Sequence, residues 1–324
     1  MKKNFFLLVM IAVTIMFYSC NNNERNDLKN LNLYGKIKYI EEKVYFAKDK
    51  FGQLEKDNLK EYSLSIFNKD GNFTSFINKS DKIINKYNSK GKLTEQSYYN
   101  LEGNLYFKNV YLYNSLGHII ETNVYDSEGK IMRKGAYTSD EEGNIVEGIT
   151  FDERIEIMKK DIYKYDKKGN MIENIYYDSD GGLSGKEIYK YDKKGNMIEH
   201  MYYDSDGSLR GKKIFICDSK GNNTEIKYYD NSGSLLTQIG NEYTYDKKDN
   251  WIKKITKDSD NNFYITERKI VYYGDDDEDN YPEWNSPSYR GVLIQSTETP
   301  TETPVEEYAL EVPAETPTDD LSDY

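Results

Sequence analysis

The sequence predicts an all-β protein: a repetitive antiparallel β-hairpin meander, curved or superhelical, with a disordered acidic tail. Three observations predict it. A phrase of the form aromatic, Asp or Asn, two polar residues and Gly recurs at alternating intervals of 12 and 14 residues. The segments between phrases alternate apolar and polar residues with period two, as half-buried strands do. All six prolines fall after Tyr281, which leaves the preceding chain free to run as uninterrupted ladders.

The N-terminus, "MKKNFFLLVMIAVTIMFYSC", carries two lysines, an apolar run from Phe5 to Phe17 and a small residue before Cys20. That pattern reads as an export signal over residues 1–19 and is too short for a retained membrane span. The ending "FYSC" resembles a bacterial lipobox, which implies cleavage before Cys20 and lipidation of its thiol. Residues 20–32 then form a polar leader behind the lipid. With Cys20 acylated only Cys217 remains, so no intrachain disulfide is expected.

From Leu33 to Gly274 the chain reads as the repeat array. Its opening aromatics align at Tyr87, Tyr99, Tyr113, Tyr125, Ser139, Phe151, Tyr165, Tyr177, Tyr191, Tyr203, Cys217 and Tyr229, a 26-residue unit of two halves. Each phrase has Asp or Asn at the first turn position and Gly at the fourth. The acidic side chain accepts a bond from the backbone two residues on, and Gly takes the left-handed conformation that closes a bulged hairpin. Strict alternation places Met171, Ile175, Tyr177, Leu183, Tyr189 and Tyr191 on an inner face, and Ile172, Tyr176, Ile188 and Lys190 on an outer one. In that register Tyr203 covers Gly185 and Tyr229 covers Gly211. As one open meander of about fifteen strands at ~4.8 Å each, the array separates its ends by about 70 Å.

Residues 275–324 hold 15 acidic residues and one basic residue, so with a net charge of -12 for the whole chain the rest carries about +2. Pro, Thr and Glu dominate this segment, a composition that buries too little apolar surface to order itself. "RGVLIQ", Arg290 to Gln295, is the exception and could add an edge strand.

The phrases "YNSKGKL", "YNLEGNL", "YDSEGKI", "YDKKGNM" and "YDSDGSL" resemble the Tyr-Asp repeats of RHS-type proteins, from about Tyr87 to Tyr273. The resemblance implies β-hairpin arrays that enclose cargo or present surfaces to carbohydrate or protein partners. Variant MORN-type repeats are also similar.

No residue stands out as catalytic. His118 and His200 occupy repeat slots held elsewhere by Asn, Lys, Ser or Ile, and Cys217 replaces a repeat Tyr with no His placed to activate it. Glu173, Glu199 and Glu225 recur every 26 residues, about 9.6 Å apart on alternate strands, which suits a ladder balanced by lysines better than a glycosidase pair. The "DSDG" turns lack the spaced ligands and final Glu of a calcium loop. Neither a cofactor motif nor a metal-ligand spacing nor a nucleic-acid footprint is legible.

The composite expectation is a non-enzymatic lipoprotein of the cell envelope, anchored through Cys20 at the outer membrane and binding a polysaccharide or an envelope protein. Tyr176, Tyr202 and Tyr228 would form its ligand stripe on the outer face, flanked by Lys186 and Lys212. A toxin-neutralising interaction protein and, less well supported, a glycan-active enzyme are the alternatives.

Overall fold

The computed structural model of the chain describes residues 26–155 and 157–274. The export signal, Cys20 and the acidic tail with Arg290–Gln295 lie outside the described residues. A one-turn helix, α1 (Asp27–Asn30), precedes β1 (Ile37–Lys50), β2 (Gln53–Phe67), β3 (Phe73–Asn78), β4 (Asp81–Tyr87), β5 (Leu93–Asn100) and β6 (Leu105–Tyr113). The repeats continue as β7 (Ile119–Asp126), β8 (Ile131–Ser139), β9 (Ile145–Asp152), β10 (Ile157–Tyr165), β11 (Met171–Tyr177) and β12 (Leu183–Tyr191). They end with β13 (Met197–Asp204), β14 (Leu209–Cys217), β15 (Asn223–Asp230), β16 (Leu235–Tyr245), β17 (Trp251–Lys257) and β18 (Phe263–Tyr272).

Every strand pairs antiparallel with its sequence neighbours, and β18 pairs with β1 from Ile37 opposite Tyr272 to Ala47 opposite Phe263. The meander is therefore a closed 18-stranded barrel, not the open curved or superhelical sheet that repetition suggested. Closure leaves no free edge for an added strand. It also brings the ends of the array together, with the Tyr273 N–H donating to the Lys36 carbonyl at 2.7 Å, where an open meander would separate them by its length. Eighteen strands at ~4.8 Å give a backbone diameter of about 27 Å before tilt, wide enough to enclose a lumen. Strands accordingly contact their ladder neighbours rather than strands across the barrel.

The hairpins follow the expected turn chemistry. Asp192 N–H donates to the Asn196 carbonyl at 2.9 Å, and Gly195 N–H to the Asp192 carbonyl at 3.1 Å. The Asp192 carboxylate accepts from the N–H groups of Lys194 and Asn196 and from the Asn196 amide, while Gly195 sits at φ 93°.

One consequence of these turns is missing from simple alternation. Beside the Asp- and Asn-led turns of the repeat the ladder slips by one residue: Tyr165 faces Met171 but Lys164 faces Glu173, whereas the β3–β4, β9–β10 and β17–β18 ladders keep one register. Such a bulge inverts the facing of everything past it. Met171, Tyr189 and Tyr191 stay on the inner face as expected, whereas Ile175 and Tyr177 turn outward and Tyr176 turns inward. Gly185 accordingly faces Tyr176 and Asp204, not Tyr203, and Gly211 faces Tyr202 and Asp230, not Tyr229. Aromatic-over-glycine pairing survives, with the tyrosine supplied by the preceding strand instead of the following one.

Hairpin turns of a meander alternate between two rims. The leader belongs to one of them. Leu28 N–H bonds the Gly71 carbonyl, and the Asn26 side chain bonds that of Asp70. Further along, the Asn32 side chain donates to the Lys220 carbonyl, and the Tyr34 N–H and carbonyl both bond the side chain of Asn250. Leu28 is buried with Ile37, Ile40, Phe67 and Tyr272. The segment from Asn26 to Tyr34 thus runs across this rim as part of the fold, not as a solvated spacer.

Candidate functional site: the barrel lumen

A cavity of about 770 Å³ is lined by Ile40, Glu42, Val44, Ser63, Ser65, Phe76, Asn85, Gln96, Tyr111, Trp251 and Arg268, with Asp27 and Leu31 of the leader and His118 at the rim. The lumenal face continues from it strand by strand. Tyr111 faces Thr122 and Thr122 faces Gly135; one step along, Tyr137 faces Gly148, Gly148 faces Asp161, and Asp161 faces Tyr176. Tyr176, Tyr202 and Tyr228 therefore line the lumen, while Lys186 and Lys212 point outward. The bulges separate the two sets that alternation had placed on one face.

At the seam of the barrel, Arg268 Nε donates to Glu42 Oε2 at 2.7 Å and its guanidinium lies 3.2 Å from the Trp251 ring centroid. Lys254 also approaches that ring, at 5.3 Å, and burial depresses its ammonium pKa. On the wall nearby, Gln96 Nε2 donates to Asn85 Oδ1 at 3.0 Å, and Tyr98 donates to Gln96.

Nine ladder steps round from β4, a second polar group covers β11 to β15. Glu187 receives hydrogen bonds from Tyr189 and Tyr176 and pairs with His200 Nε2 at 2.9 Å, while His200 Nδ1 meets the Tyr202 hydroxyl at 3.0 Å. Burial alone would raise the Glu187 pKa, but these three partners outweigh it and hold the carboxyl below its ordinary range. The His200 ring lies between Tyr189 and Tyr202, with centroids 4.4 and 4.1 Å away. Lys213 sits 5.3 Å from the rings of both Tyr202 and Tyr228, and burial lowers its pKa. Burial also raises the carboxyl pKa of Asp161, opposite Tyr176.

The outer face has a different chemistry. Lys186 lies over Tyr203 at 5.1 Å and Lys212 over Tyr229 at 5.5 Å, the same cross-strand pair that Lys82 makes with Tyr99 and Lys108 with Tyr125. The recurring carboxylates are ion-paired there: Glu173 with Lys164 at 2.6 Å, Glu199 with Lys190 at 2.6 Å and Glu225 with Lys227 at 2.9 Å. Over these repeat strands the charge banding differs from the apolar belt of a barrel that spans a bilayer, while at the seam the same face carries the buried cluster of Tyr39, Tyr62, Leu64, Ile66, Ile77 and Val271. Cys217 is half-buried, burial pushes its thiol pKa up, and it bonds Asn223 Oδ1 at 3.2 Å, the opposite of an activated nucleophile.

Periodicity alone did not single out Glu187, Glu42, Arg268 or Trp251. A signal for the first was present: Asp161, Glu187 and Lys213 occupy one slot at 26-residue spacing, and charge in an inward slot marks a polar lumen. Glu42 and Arg268 are 226 residues apart in the chain, and only closure joins them.

No protein-family model matches the chain, and no curated protein matches it. Among solved structures, the chain is similar to a porin-like protein from Bacteroides uniformis, at 10% identity over 72% of this chain and 98% of that one, with a TM-score of 0.41. It is similar to a chain of the TcdB2-TccC3-Cdc42 structure at 13% identity, covering 72% of this chain and 18% of that one, with a TM-score of 0.24. It is also similar to a putative outer membrane lipoprotein-sorting protein domain from Vibrio parahaemolyticus, at 10% identity over 84% and 99% of the two chains, with a TM-score of 0.24. Likenesses this distant carry no functional argument, and the closed barrel stands on the β1–β18 ladder itself.

Proposed function

We propose that this protein is a non-enzymatic, lipid-anchored protein of the cell envelope whose lumen binds a segment of a glycan. The observation that carries this reading is the wall of the lumen. Aromatic rings at Tyr176, Tyr202 and Tyr228 alternate there with Glu187, His200 and Lys213, and the cavity side adds Trp251, Gln96 and Asn85. Flat rings interleaved with hydrogen-bonding groups suit the apolar faces and hydroxyl edges of sugars, and the cavity on the Trp251 side of the lumen, about 770 Å³, lies within the usual range of ligand cavities.

The lipobox-like "FYSC" supports the anchor at Cys20 and placement at the outer membrane. Closure of the sheet favours enclosure over surface presentation, the two uses that the RHS-like resemblance implies.

Equilibrium binding of envelope glycan fragments to the mature chain tests the reading. Changing Tyr176, Tyr202 and Tyr228 together to Ala should weaken binding at least tenfold, while changing Lys186 and Lys212 to Ala should leave it unaltered. Equal affinity in the triple variant would remove the Tyr176–Tyr202–Tyr228 wall, and with it the observation that carries this reading.

A further inference from the structure

We propose that the rim carrying the leader is a docking surface for an anionic phospholipid bilayer, so that the barrel stands on the membrane with its opposite, acidic rim facing away. The orientation rests on the lipid-anchor reading above; the charge of the rim does not.

The two turn phrases are the starting point. Because turns alternate between rims, a repeat that alternates "DKKG" with "DSDG" sorts its charges by rim. Third turn positions are Lys90, Lys168, Lys194, Lys220 and Lys248 on the leader rim, and Glu102, Glu128, Asp180, Asp206 and Asp260 on the other. Asp70, Leu116 and Glu142 interrupt the basic series, and Arg154 and Ser232 the acidic one, but the turns joining β10 to β17 carry the basic series without a break. Lys168 Nζ donates to the Lys193 carbonyl at 2.8 Å and Lys194 Nζ to that of Ser219 at 3.3 Å. Each turn is thereby tied to the next through neutral acceptors, which orders the ammonium groups along the rim; the first-position Asp of each turn offsets one charge, so a "DKKG" turn keeps a net +1 against -2 for "DSDG". Lys220 is paired with Asp249, and Lys248 lies 3.3 Å from the Tyr272 ring centroid.

The second observation is independent of charge. The leader docks on this rim, with Asn32 and Tyr34 bonded to the turns that carry Lys220 and Lys248. Between Cys20 and Asn26 the chain reaches at most about 20 Å, so a lipid on Cys20 holds this rim close to the bilayer. Strands such as β12, of 9 residues, set the other rim about 25 Å further away. That exceeds the ~8 Å screening length of physiological salt, so the acidic rim does not oppose the contact. It leaves an acidic mouth outward, one that disfavours polyanions and admits neutral or cationic ligands.

The test has two arms on the full mature chain. In the first, Cys20→Ser removes the lipid and flotation with phosphatidylglycerol-containing vesicles is compared with phosphatidylcholine vesicles. Binding to the anionic vesicles only is expected. Each lysine near such a surface contributes about fivefold, so Lys168→Gln, Lys194→Gln and Lys248→Gln together should weaken binding at least tenfold in a chain that keeps its cooperative melt. In the second arm, the acylated chain in the same vesicles carries a dye at Ser89→Cys or Ser205→Cys in a Cys217→Ser background. Energy transfer to a lipid acceptor should be strong from position 89 and weak from 205. Equal or reversed transfer overturns the orientation, and a triple variant that binds like the parent overturns the docking surface. Anionic-vesicle binding that appears only after residues 275–324 are removed also overturns it, by showing that the chain's own acidic tail occupies the rim. Absence of acyl mass on Cys20 defeats the anchor reading alone, because the flotation arm still reports on the rim.

Discussion

The phenol of Tyr191 donates to the backbone carbonyl of Met171 at 2.8 Å, just beyond the last ladder pair of β11 and β12. That carbonyl lies beyond the end of the ladder, which begins at Glu173 opposite Ile188, and the repeat Tyr supplies it a donor. Tyr113 does the same for Leu93, Tyr165 for Ile145 and Tyr243 for Asn223, each 20 residues back. Period and residue type share this cause. At two slots of the series the tyrosine is missing: Ser139, whose buried Oγ has no hydrogen-bond partner among the described residues, and Cys217. Tyr191→Phe should lower stability by about 1 kcal/mol and Cys217→Tyr should raise it by a similar amount. Urea unfolding of the two variants measures both, and a destabilised Cys217→Tyr would show that the ladder is not the reason for the tyrosine.

Two turns depart from glycine at the left-handed position. Asp249 adopts φ 68° and Asn261 φ 61°, which side chains with a Cβ tolerate at a cost. Asn261→Gly should stabilise the protein by about 0.5–1 kcal/mol. Asp249 is the poorer test because it also pairs with Lys220. A lower melting temperature for Asn261→Gly would contradict the turn assignment.

Closure of the barrel places Glu42 and Arg268 side by side at the seam. Arg268→Ala strands the Glu42 carboxylate in the cavity and removes the stack on Trp251. Full burial of such a pair would cost about 3–5 kcal/mol on losing one partner, but both groups keep some solvent contact, so about 2 kcal/mol is expected. Glu42→Gln in the same chain should return part of that loss, a recovery that a purely steric effect would not give.

Glu187 has a depressed pKa, so its folded form holds the proton more weakly than the unfolded chain does. Its contribution to stability is present above the ordinary carboxylate range near pH 4.5 and is lost as pH falls through the lower folded value. Thermal melts from pH 7 down to pH 3 should show wild type ahead of Glu187→Gln at neutral pH and the gap narrowing below about pH 4.5. A gap that widens on acidification would reverse the sign assigned to the cluster.

Ending the chain after Gly274 should leave the β-sheet circular dichroism and the cooperative melt intact, because every described ladder, including the β1–β18 seam, lies before that residue. A loss of cooperativity would place the acidic segment within the fold. Tyr273, near the last described residue, lies at the leader rim beside the first strand, its N–H bonded to the Lys36 carbonyl, and not at a distant end of an extended array.

The residues themselves determined the all-β class, the hairpin turns and the positions of the strands. Each of these depends on contacts within a few residues: Asp192 with Asn196, glycine at a positive φ, and alternation along one strand. Ion pairing of Glu173 and Glu199 with lysines was legible for the same reason, since the partners sit on adjoining strands of one repeat. Tertiary structure decided which face is which, because the one-residue bulges between β10 and β11 and between β11 and β12 invert the facing of Tyr176 and Ile175 while leaving their spacing unchanged. It also decided closure. Whether Ile37 meets Tyr272 depends on twist and curvature accumulated over all 18 strands, a sum that no single repeat encodes. From that closure follow the lumen, the Glu42–Arg268 pair and the shared rim of the leader and Tyr273.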